Sequence, residues 1–411
     1  MTSQLKDSGL FDKELVPFYV YYTVLFMGTA TILTFLNIYF QEELGFSLAQ
    51  IGIIASMGPV VTMIAQPWLG ILSDRTNRRK VLLVLFLGSI MVSVLFPLHY
   101  AFMYVAVMSV LNTLFNNSIS PLGDAITLQF LETKRIKFNT IRMIGTISYA
   151  LMAAVAGYII NDNLTRVFYI KAISMGIGLF AVFWMPDLQK SIKNTKEKAT
   201  TSLKDSLKEL LKNKMVLCIL FTSFIFGLAM TFYHAFIGIQ LRYIGATEVQ
   251  VGTAVFLSAA SEVPVLILVN KIFGNKKPIH LLMLVGFFMT IRLILLFFAD
   301  AQGSLVLIYI NQLLHGLTFM VQFYFTVVLL NKYSPVQIKS TVQTLNAVVR
   351  AFAAFIGAGL GGTLADQIGI GMVYLALSIF VFLLCFILPG VASIIYREQI
   401  KGMKSVNSTS G

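Results

Sequence analysis

Residues 51–98 read IGIIASMGPVVTMIAQPWLGILSDRTNRRKVLLVLFLGSIMVSVLFPL. Two apolar stretches, 51–72 and 81–98, flank a short polar turn that contains Arg75, Arg78 and Arg79. A helix needs about 20 predominantly apolar residues to cross the hydrocarbon layer of a bilayer. This part of the sequence therefore predicts two membrane-spanning helices joined by a basic loop.

The same alternation of apolar stretches and polar turns continues in both directions along the chain. Because lipid offers the backbone no hydrogen-bond partner, each apolar stretch is predicted to be a helix. The sequence thus predicts an all-α membrane protein with twelve transmembrane helices. The predicted spans are approximately 16–40, 51–72, 81–98, 101–130, 139–160, 167–186, 215–240, 249–270, 279–298, 305–330, 341–362 and 370–395.

The composition excludes an ordinary soluble domain. Of 411 residues, 57% are hydrophobic and 12% are charged, whereas soluble domains carry about 25% charged residues. Cys218 and Cys385 both lie in apolar stretches, and the four histidines are scattered, so we expect no disulfide framework, metal site or cofactor. No catalytic Ser–His–Asp set can be placed at one depth, so no enzyme is predicted. The first apolar stretch is too long for a cleavable signal peptide.

A polar segment between spans six and seven divides the chain into two sets of six helices. It holds eight lysines, and four leucines within it at helical spacing suggest an amphipathic surface helix: Leu203, Leu207, Leu210 and Leu211. The predicted domain organisation is an N-terminal six-helix bundle, a cytoplasmic linker, a C-terminal six-helix bundle and a polar cytoplasmic tail, at 1–186, 187–214, 215–398 and 399–411.

The distribution of lysine and arginine predicts the orientation of the chain. With the N-terminus placed inside, 25 of the 31 basic residues fall in inside loops and termini, and only Arg166 and Arg242 fall in outside loops. This is the asymmetry of the positive-inside rule. It predicts an inner-membrane protein with both termini in the cytoplasm, and it accounts for the net charge of +13 without nucleic acid.

Few ionisable residues lie within the predicted spans, and such residues are functional candidates because burying them in lipid is costly. The candidates among them are Asp124, Arg142, Glu262, Arg292, Arg350, His234 and His315. A structural role, in which acid–base pairs merely hold helices together, is the alternative.

Spacing about the inside turns predicts two ion pairs. Asp124 and Arg142 each lie nine residues from position 133, and Glu262 and Arg292 are likewise symmetric about position 277. At about 1.5 Å per residue, each pair reaches a similar depth on neighbouring antiparallel helices. Each half of the chain is therefore predicted to carry one acid–arginine pair.

The basic turn, GILSDRTNRR at 70–79, resembles the signature loop of the major facilitator superfamily. Gly70, Asp74, Arg75 and Arg78 correspond to that signature, and Asn77 replaces its usual second glycine. The resemblance implies two pseudo-symmetric six-helix bundles and transport by alternating access. The proline–glycine motif typical of drug antiporters is missing from span five, because 145–157 contains no proline.

Further stretches resemble the lactose permease and 3-phenylpropionate permease branch. IRMIGTISYA at 141–150 is similar to the span-five motif in which an arginine, here Arg142, pairs with a span-four acid and binds sugar hydroxyls. Tyr149 occupies the position of a tryptophan that stacks on the sugar ring. Glu262, Arg292 and His315 match residues of substrate binding and proton coupling, and PLGDA at 121–125 and LHGLTF at 314–319 resemble the phenylpropionate branch.

The chain departs from lactose permease at several functional positions. Thr318 stands where the permease has its proton-carrying glutamate, and Gln312 stands in place of a span-ten lysine. Arg350 corresponds to a span-eleven lysine, but the acids that balance it align with Thr231 and His234. Gln312, His315 and Thr318 share one helical face. The resemblance therefore does not imply that this chain has the substrate specificity of lactose permease.

These patterns together predict a proton-coupled symporter for a small organic solute, working as a monomer in the lipid bilayer. Glu262, with Arg292 and His315, forms the candidate proton-coupling group. The candidate substrate-binding residues are Asp124, Arg142, Tyr149, His234, Gln312 and Arg350. Sugars or oligosaccharides, organic and aromatic carboxylates, and other solutes such as nucleosides remain open as substrates. Multidrug or metabolite efflux, and a non-transporting receptor or scaffold on the same fold, are the alternatives.

Overall fold

The structure, a computed structural model, describes residues 12–132, 134, 136–160, 163–186, 213–273, 278–334, 339–384 and 387. Most of the predicted linker, 187–212, lies outside the described residues, and with it the predicted amphipathic helix. The predicted tail, 399–411, lies outside them as well.

The described residues fold into twelve successive helices, as the sequence predicts. In chain order they are α1 Val16–Glu42, α2 Leu48–Arg75, α3 Arg78–Leu95, α4 Phe102–Leu131, α5 Phe138–Ile160, α6 Arg166–Trp184, α7 Lys214–Tyr243, α8 Glu248–Phe273, α9 Pro278–Gln302, α10 Leu305–Tyr333, α11 Lys339–Ile368 and α12 Ile370–Leu384. Helix α10 is broken at Leu314 into the segments Leu305–Leu313 and His315–Tyr333.

Length and composition indicate that most of these helices span a membrane. Ten of the helices within the described residues are long and apolar enough to cross a membrane. Large apolar side chains such as Trp68, Phe180 and Ile267 are exposed on them, which a soluble protein would avoid in such number but a lipid-facing surface requires. The predicted fold class is thereby confirmed.

Side chains at the helix ends explain where several helices begin. Ser47 and Gln50 form a reciprocal capping box at the start of α2, and the side chain of Asn77 accepts the N–H of Lys80 at the start of α3. Such side chains satisfy backbone donors that a helix cannot satisfy itself. Asn77, at the position where the signature loop usually has glycine, is thus explained by its role as an N-cap.

The chain divides into two compact units. The first contains the described residues of Met1–Asn194 together with Ala235–Ala259, and the second contains those of Thr195–His234 and Ala260–Gly411. The adjoining ends of α7 and α8 therefore belong to the first unit. The domain boundaries drawn from the sequence remain a prediction.

In the first unit, α1 packs against α5 and α6, α3 packs against α4 and α6, and α2 packs against α4. Its core is aromatic, with Phe18 stacked on Phe130 at a centroid distance of 4.7 Å. The α7–α8 turn is held by Arg242, whose guanidinium donates two hydrogen bonds to Glu42, at 2.6 and 3.1 Å. The same guanidinium lies 3.0 Å from the carboxylate of Glu248.

Just before α1 begins, an ion cluster connects the N-terminal segment to the turn between α4 and α5. The Lys134 ammonium lies 2.8 Å from Asp12 and 2.7 Å from Glu14. The hydrogen bond from Lys134 lowers the pKa of Asp12, and the bonds to both acids raise the pKa of Lys134.

In the second unit, α9 packs against both segments of α10, and α10 packs against α11. Phe232 of α7 meets Tyr374 of α12 edge to face at 5.1 Å. The predicted site residues of this half lie on α7, α8, α9, α10 and α11.

Candidate functional site: two polar clusters in the helix interiors

The ion pair predicted between Asp124 and Arg142 is present in the first unit. Arg142 Nη1 of α5 lies 2.6 Å from Asp124 Oδ2 of α4. The other carboxylate oxygen accepts a hydrogen bond from the hydroxyl of Tyr22 in α1, at 2.7 Å. Three helices therefore meet at one carboxylate, and both of its oxygens are bonded.

This first cluster remains accessible despite its bonds. The side chains of Arg142 and Asp124 are 40% and 24% exposed. The guanidinium lies over the ring of Phe26, 5.7 Å from its centroid, so an aromatic face adjoins the charged group. Tyr149 lies farther along α5 and is partly buried. An accessible guanidinium beside a carboxylate is suited to hydrogen-bond neighbouring hydroxyl groups of a solute.

The second unit contains a carboxylate–imidazole contact. Glu262 Oε1 of α8 lies 3.4 Å from His315 Nε2 of α10, with 21% and 2% of the two side chains exposed. The other ring nitrogen of His315, Nδ1, is buried without a hydrogen-bond partner among the described residues. The imidazole stacks on Phe319, with ring centroids 5.4 Å apart.

Arg292 is buried among neutral groups. Only 1% of its surface is exposed, and its guanidinium donates to Thr318 at 2.7 Å and to the side-chain oxygen of Asn311 at 3.1 Å. Asn311 in turn donates to the backbone carbonyl of Arg292 at 2.6 Å. The guanidinium also lies 4.7 Å from the centroid of the Tyr233 ring, a cation–π distance.

The predicted pairing of Glu262 with Arg292 is therefore not what the structure forms. Among the described residues, the carboxylate of Glu262 has His315 as its charged-pair partner, and the guanidinium of Arg292 has hydroxyl and amide partners instead. Equal distance from a turn fixes depth but leaves open which face of each helix a side chain occupies. Thr318, the residue that replaces a glutamate in the lactose permease pattern, accepts a hydrogen bond from the arginine.

The remaining predicted residues of this half lie near His315 or on α11. The hydroxyl of Tyr233 donates to the side-chain oxygen of Gln312. His234 is exposed, and its ring lies 5.6 Å from that of His315 and 6.3 Å from that of Phe319. Arg350 lies over the ring of Phe323 at 5.7 Å.

The signature loop joins α2 to α3 as predicted, and it is anchored to α6 by Arg79, which is not one of the four predicted signature residues. Arg79 donates to the carbonyls of Val182, at 3.1 Å, and Phe183 at the end of α6. Gly70 and Arg78 line a cavity of about 300 Å³ between α2, α3 and α4. Arg75 is exposed, and the side chain of Asp74 lies outside the described part of the structure.

Sequence reasoning missed three polar residues that the structure places at or near buried charges. Tyr22 and Asn311 stand in apolar stretches with no motif to single them out. Lys171 lies near the outer end of a predicted span, but its side chain is 2% exposed and its ammonium donates to Asn112. A lysine within an apolar stretch is a signal that would have found it.

Metal ligands do not gather anywhere in the described residues. No group of three or more His, Cys, Asp or Glu side chains there is placed to hold a metal ion.

The fold and its buried polar clusters define a multi-pass membrane transporter of the major facilitator type. A family model described as the MFS_1 like family matches residues 15–376, and the chain belongs to that family.

Relatives of known sequence and structure agree with this assignment. The maltose permease of Geobacillus stearothermophilus is 25% identical over 367 residues, covering 88% of this chain and 90% of its own. The putative nucleoside transporter YegT of Escherichia coli (strain K12) is 25% identical over 349 residues, covering 79% and 77%. The crystal structure of the nucleoside transporter NupG has the same fold, with a TM-score of 0.80 at 17% identity, covering 92% of this chain and 98% of that one.

The Asp124–Arg142 pair allows a test that separates a structural from a binding role. Asp124→Asn and Arg142→Gln each leave one charge uncompensated, so each is expected to cost about 1.5 kcal/mol of stability. The double variant removes both charges and is expected to recover the thermal midpoint in detergent, because the two losses are coupled.

Transport by the double variant then decides the role. Solute uptake is expected to stay at least about tenfold below wild type even though the fold is restored, since a hydrogen-bonded charged group of the binding site is gone. Wild-type uptake by a stable double variant would show that the pair only joins the helices.

Proposed function

We propose that the protein is a proton-coupled symporter that takes up a small organic solute across the inner membrane by alternating access. The proposal rests on one observation above all, the contact of Glu262 with His315 in the second unit. We further propose that it acts as a monomer with both termini in the cytoplasm, in keeping with the basic inside loops.

Glu262 is suited to carry the proton because no permanently charged partner fixes its charge among the described residues. Its neighbour within ion-pair distance there is an imidazole, which can itself bind or release a proton. It is 21% exposed, so water can reach one side of it. Asp124, by contrast, is bonded to a guanidinium, which stays charged in proteins. We therefore assign proton exchange to Glu262 and solute binding to Asp124.

For the substrate we propose a solute that carries a sugar ring. The Asp124–Arg142 cluster offers a carboxylate and a guanidinium, with Tyr22 behind them and Phe26 beside them. Adjacent ring hydroxyls match such paired acceptors and donors. Two relatives at 25% identity are named for maltose and for nucleosides, both of which contain sugar rings.

An organic carboxylate is the second candidate, and Arg350 favours it. This guanidinium is only partly buried, and within the described residues no carboxylate lies within 4.0 Å of it. A positive group beside the Phe323 ring suits an aromatic acid. Two alternatives predict different results. If the protein were a drug exporter, energised cells expressing it would exclude dyes. If it were a receptor, it would show no solute flux.

The proton assignment is tested with Glu262→Gln, which keeps the size of the side chain and removes the exchangeable proton. In proteoliposomes with an inward proton gradient, we expect accumulation of the transported solute to fall at least about tenfold, the effect of losing one general acid–base group. Exchange of labelled for unlabelled solute at equal pH should persist. Glu43→Gln, an exposed acid just after the end of α1, is the matched control. Unchanged uphill uptake by Glu262→Gln would refute the assignment.

The substrate class is tested by offering labelled maltose, a nucleoside and 3-phenylpropionate to wild type and to Arg350→Gln. We expect wild type to take up a sugar-containing solute. Uptake of that solute by Arg350→Gln should stay within about twofold of wild type, because Arg350 is not one of the residues of the Asp124 cluster. If wild type transports only the carboxylate and Arg350→Gln abolishes this, the second candidate is correct and the sugar proposal is wrong.

A further inference from the structure

Helix α10 is interrupted beside the proposed proton site. The break falls at Leu314, between segments that end at Leu313 and begin at His315. Neither segment contains proline, and glycine occurs at Gly316, in the first turn of the second segment. Sharp interruptions arise at such residues or where a side chain of another element inserts into the hydrogen-bond ladder of the helix.

A serine of the neighbouring helix contacts the backbone of α10 just after the break. The N–H of Gly316 donates to Ser261 Oγ of α8 at 2.9 Å. In a continuous α-helix this N–H donates to the carbonyl of Gln312. The serine hydroxyl thus offers the N–H an acceptor outside its own helix, and side chains inserted in this way are a known cause of helix interruptions.

The two helix backbones touch at the same point. A Cβ added to Gly316 would overlap the carbonyl oxygen of Ser261 and would lie 3.1 Å from the Cα of Glu262. Only glycine therefore fits at this position. Two consecutive residues of α8, Ser261 and Glu262, face two consecutive residues of α10, His315 and Gly316.

The backbone contact and the side-chain contact involve neighbouring residues. Gly316 lies against the backbone of Ser261 and Glu262, and the imidazole of the preceding residue, His315, lies 3.4 Å from the Glu262 carboxylate. Thr318 donates back to the carbonyl of His315 at 2.9 Å, and its oxygen accepts from Arg292. The break thus positions both the imidazole and the acceptor of the buried arginine.

We propose that Ser261 is the positioning residue of the Glu262–His315 pair. Its hydroxyl keeps α10 open at Leu314, and this holds the imidazole within reach of the carboxylate while the proton is exchanged. Without the hydroxyl, the Gly316 N–H returns to the Gln312 carbonyl, α10 closes, and His315 turns away from Glu262. This inference rests on the proposed proton-coupled transport.

The test compares Ser261→Ala, which removes the acceptor, with Ser261→Thr, which keeps it. Thr253→Val is the matched control, because Thr253 is another hydroxyl residue of α8 and bonds to the Val249 carbonyl of its own helix. We expect Ser261→Ala to reduce proton-driven accumulation about tenfold, the worth of one hydrogen bond to a functional group. Solute exchange at equal pH should stay within about twofold of wild type, while the pH dependence of uptake flattens.

Ser261→Thr and Thr253→Val are expected to behave as wild type in all three assays. Equal loss of accumulation and exchange in Ser261→Ala, accompanied by a lower thermal midpoint, would show a structural role only and overturn the inference. Wild-type accumulation and pH dependence in Ser261→Ala would overturn it as well.

A measurement without transport separates this inference from the proposed function. The NMR resonance of the Gly316 amide, followed in the purified protein carrying isotope-labelled glycine, reports which group accepts that N–H. We expect Ser261→Ala to shift this resonance, because the acceptor changes from the serine hydroxyl to the Gln312 carbonyl, and Thr253→Val to leave it unchanged. If the Gly316 amide responds but wild type shows no proton-driven uptake, the hydrogen bond between Ser261 and Gly316 is confirmed and the proton-coupled function is refuted. If the Gly316 amide is unchanged in Ser261→Ala, the proposed role of Ser261 is refuted.

Discussion

The hydrocarbon interior of a bilayer offers no hydrogen-bond partner, so each charged side chain in these helices must find its partners within the protein. The chain meets this demand in different ways. Asp124 is matched by Arg142, Arg292 is surrounded by neutral oxygens and an aromatic ring, and Lys171 donates to an asparagine amide. Glu262 differs from them, because its partner is an imidazole.

This difference underlies the proposed division of labour between the two units. A carboxylate bonded to a guanidinium presents a hydrogen-bond acceptor beside a donor, so Asp124 and Arg142 are suited to hold a solute. A carboxylate beside an imidazole can gain or lose a proton without breaking a strong ion pair, so Glu262 is suited to couple solute transport to proton movement. Arg292 is bonded instead to Thr318 and Asn311. A direct guanidinium partner would have made Glu262 part of a strong ion pair, as Asp124 is.

Much of the fold was predictable from the sequence because the bilayer imposes simple rules. The length of the apolar stretches predicted the twelve helices, and equal distances from an inside turn correctly predicted the Asp124–Arg142 pair. The same arithmetic failed for Glu262 and Arg292, because depth does not determine which face of a helix a residue occupies. The break at Leu314 could not be predicted from α10, because its cause, Ser261, lies on another helix. Tyr22 was missed because one tyrosine in an aromatic-rich span carries no periodic signal.

The most direct test of the central claim is whether solute and protons move together. Purified wild-type protein in weakly buffered proteoliposomes, with equal pH on both sides and the membrane potential clamped by potassium and valinomycin, is given an inward gradient of the transported solute. The account predicts that the external medium becomes alkaline as solute enters, in proportion to the solute taken up, and that a protonophore abolishes the signal. Solute entry without any change of external pH would contradict proton-coupled transport.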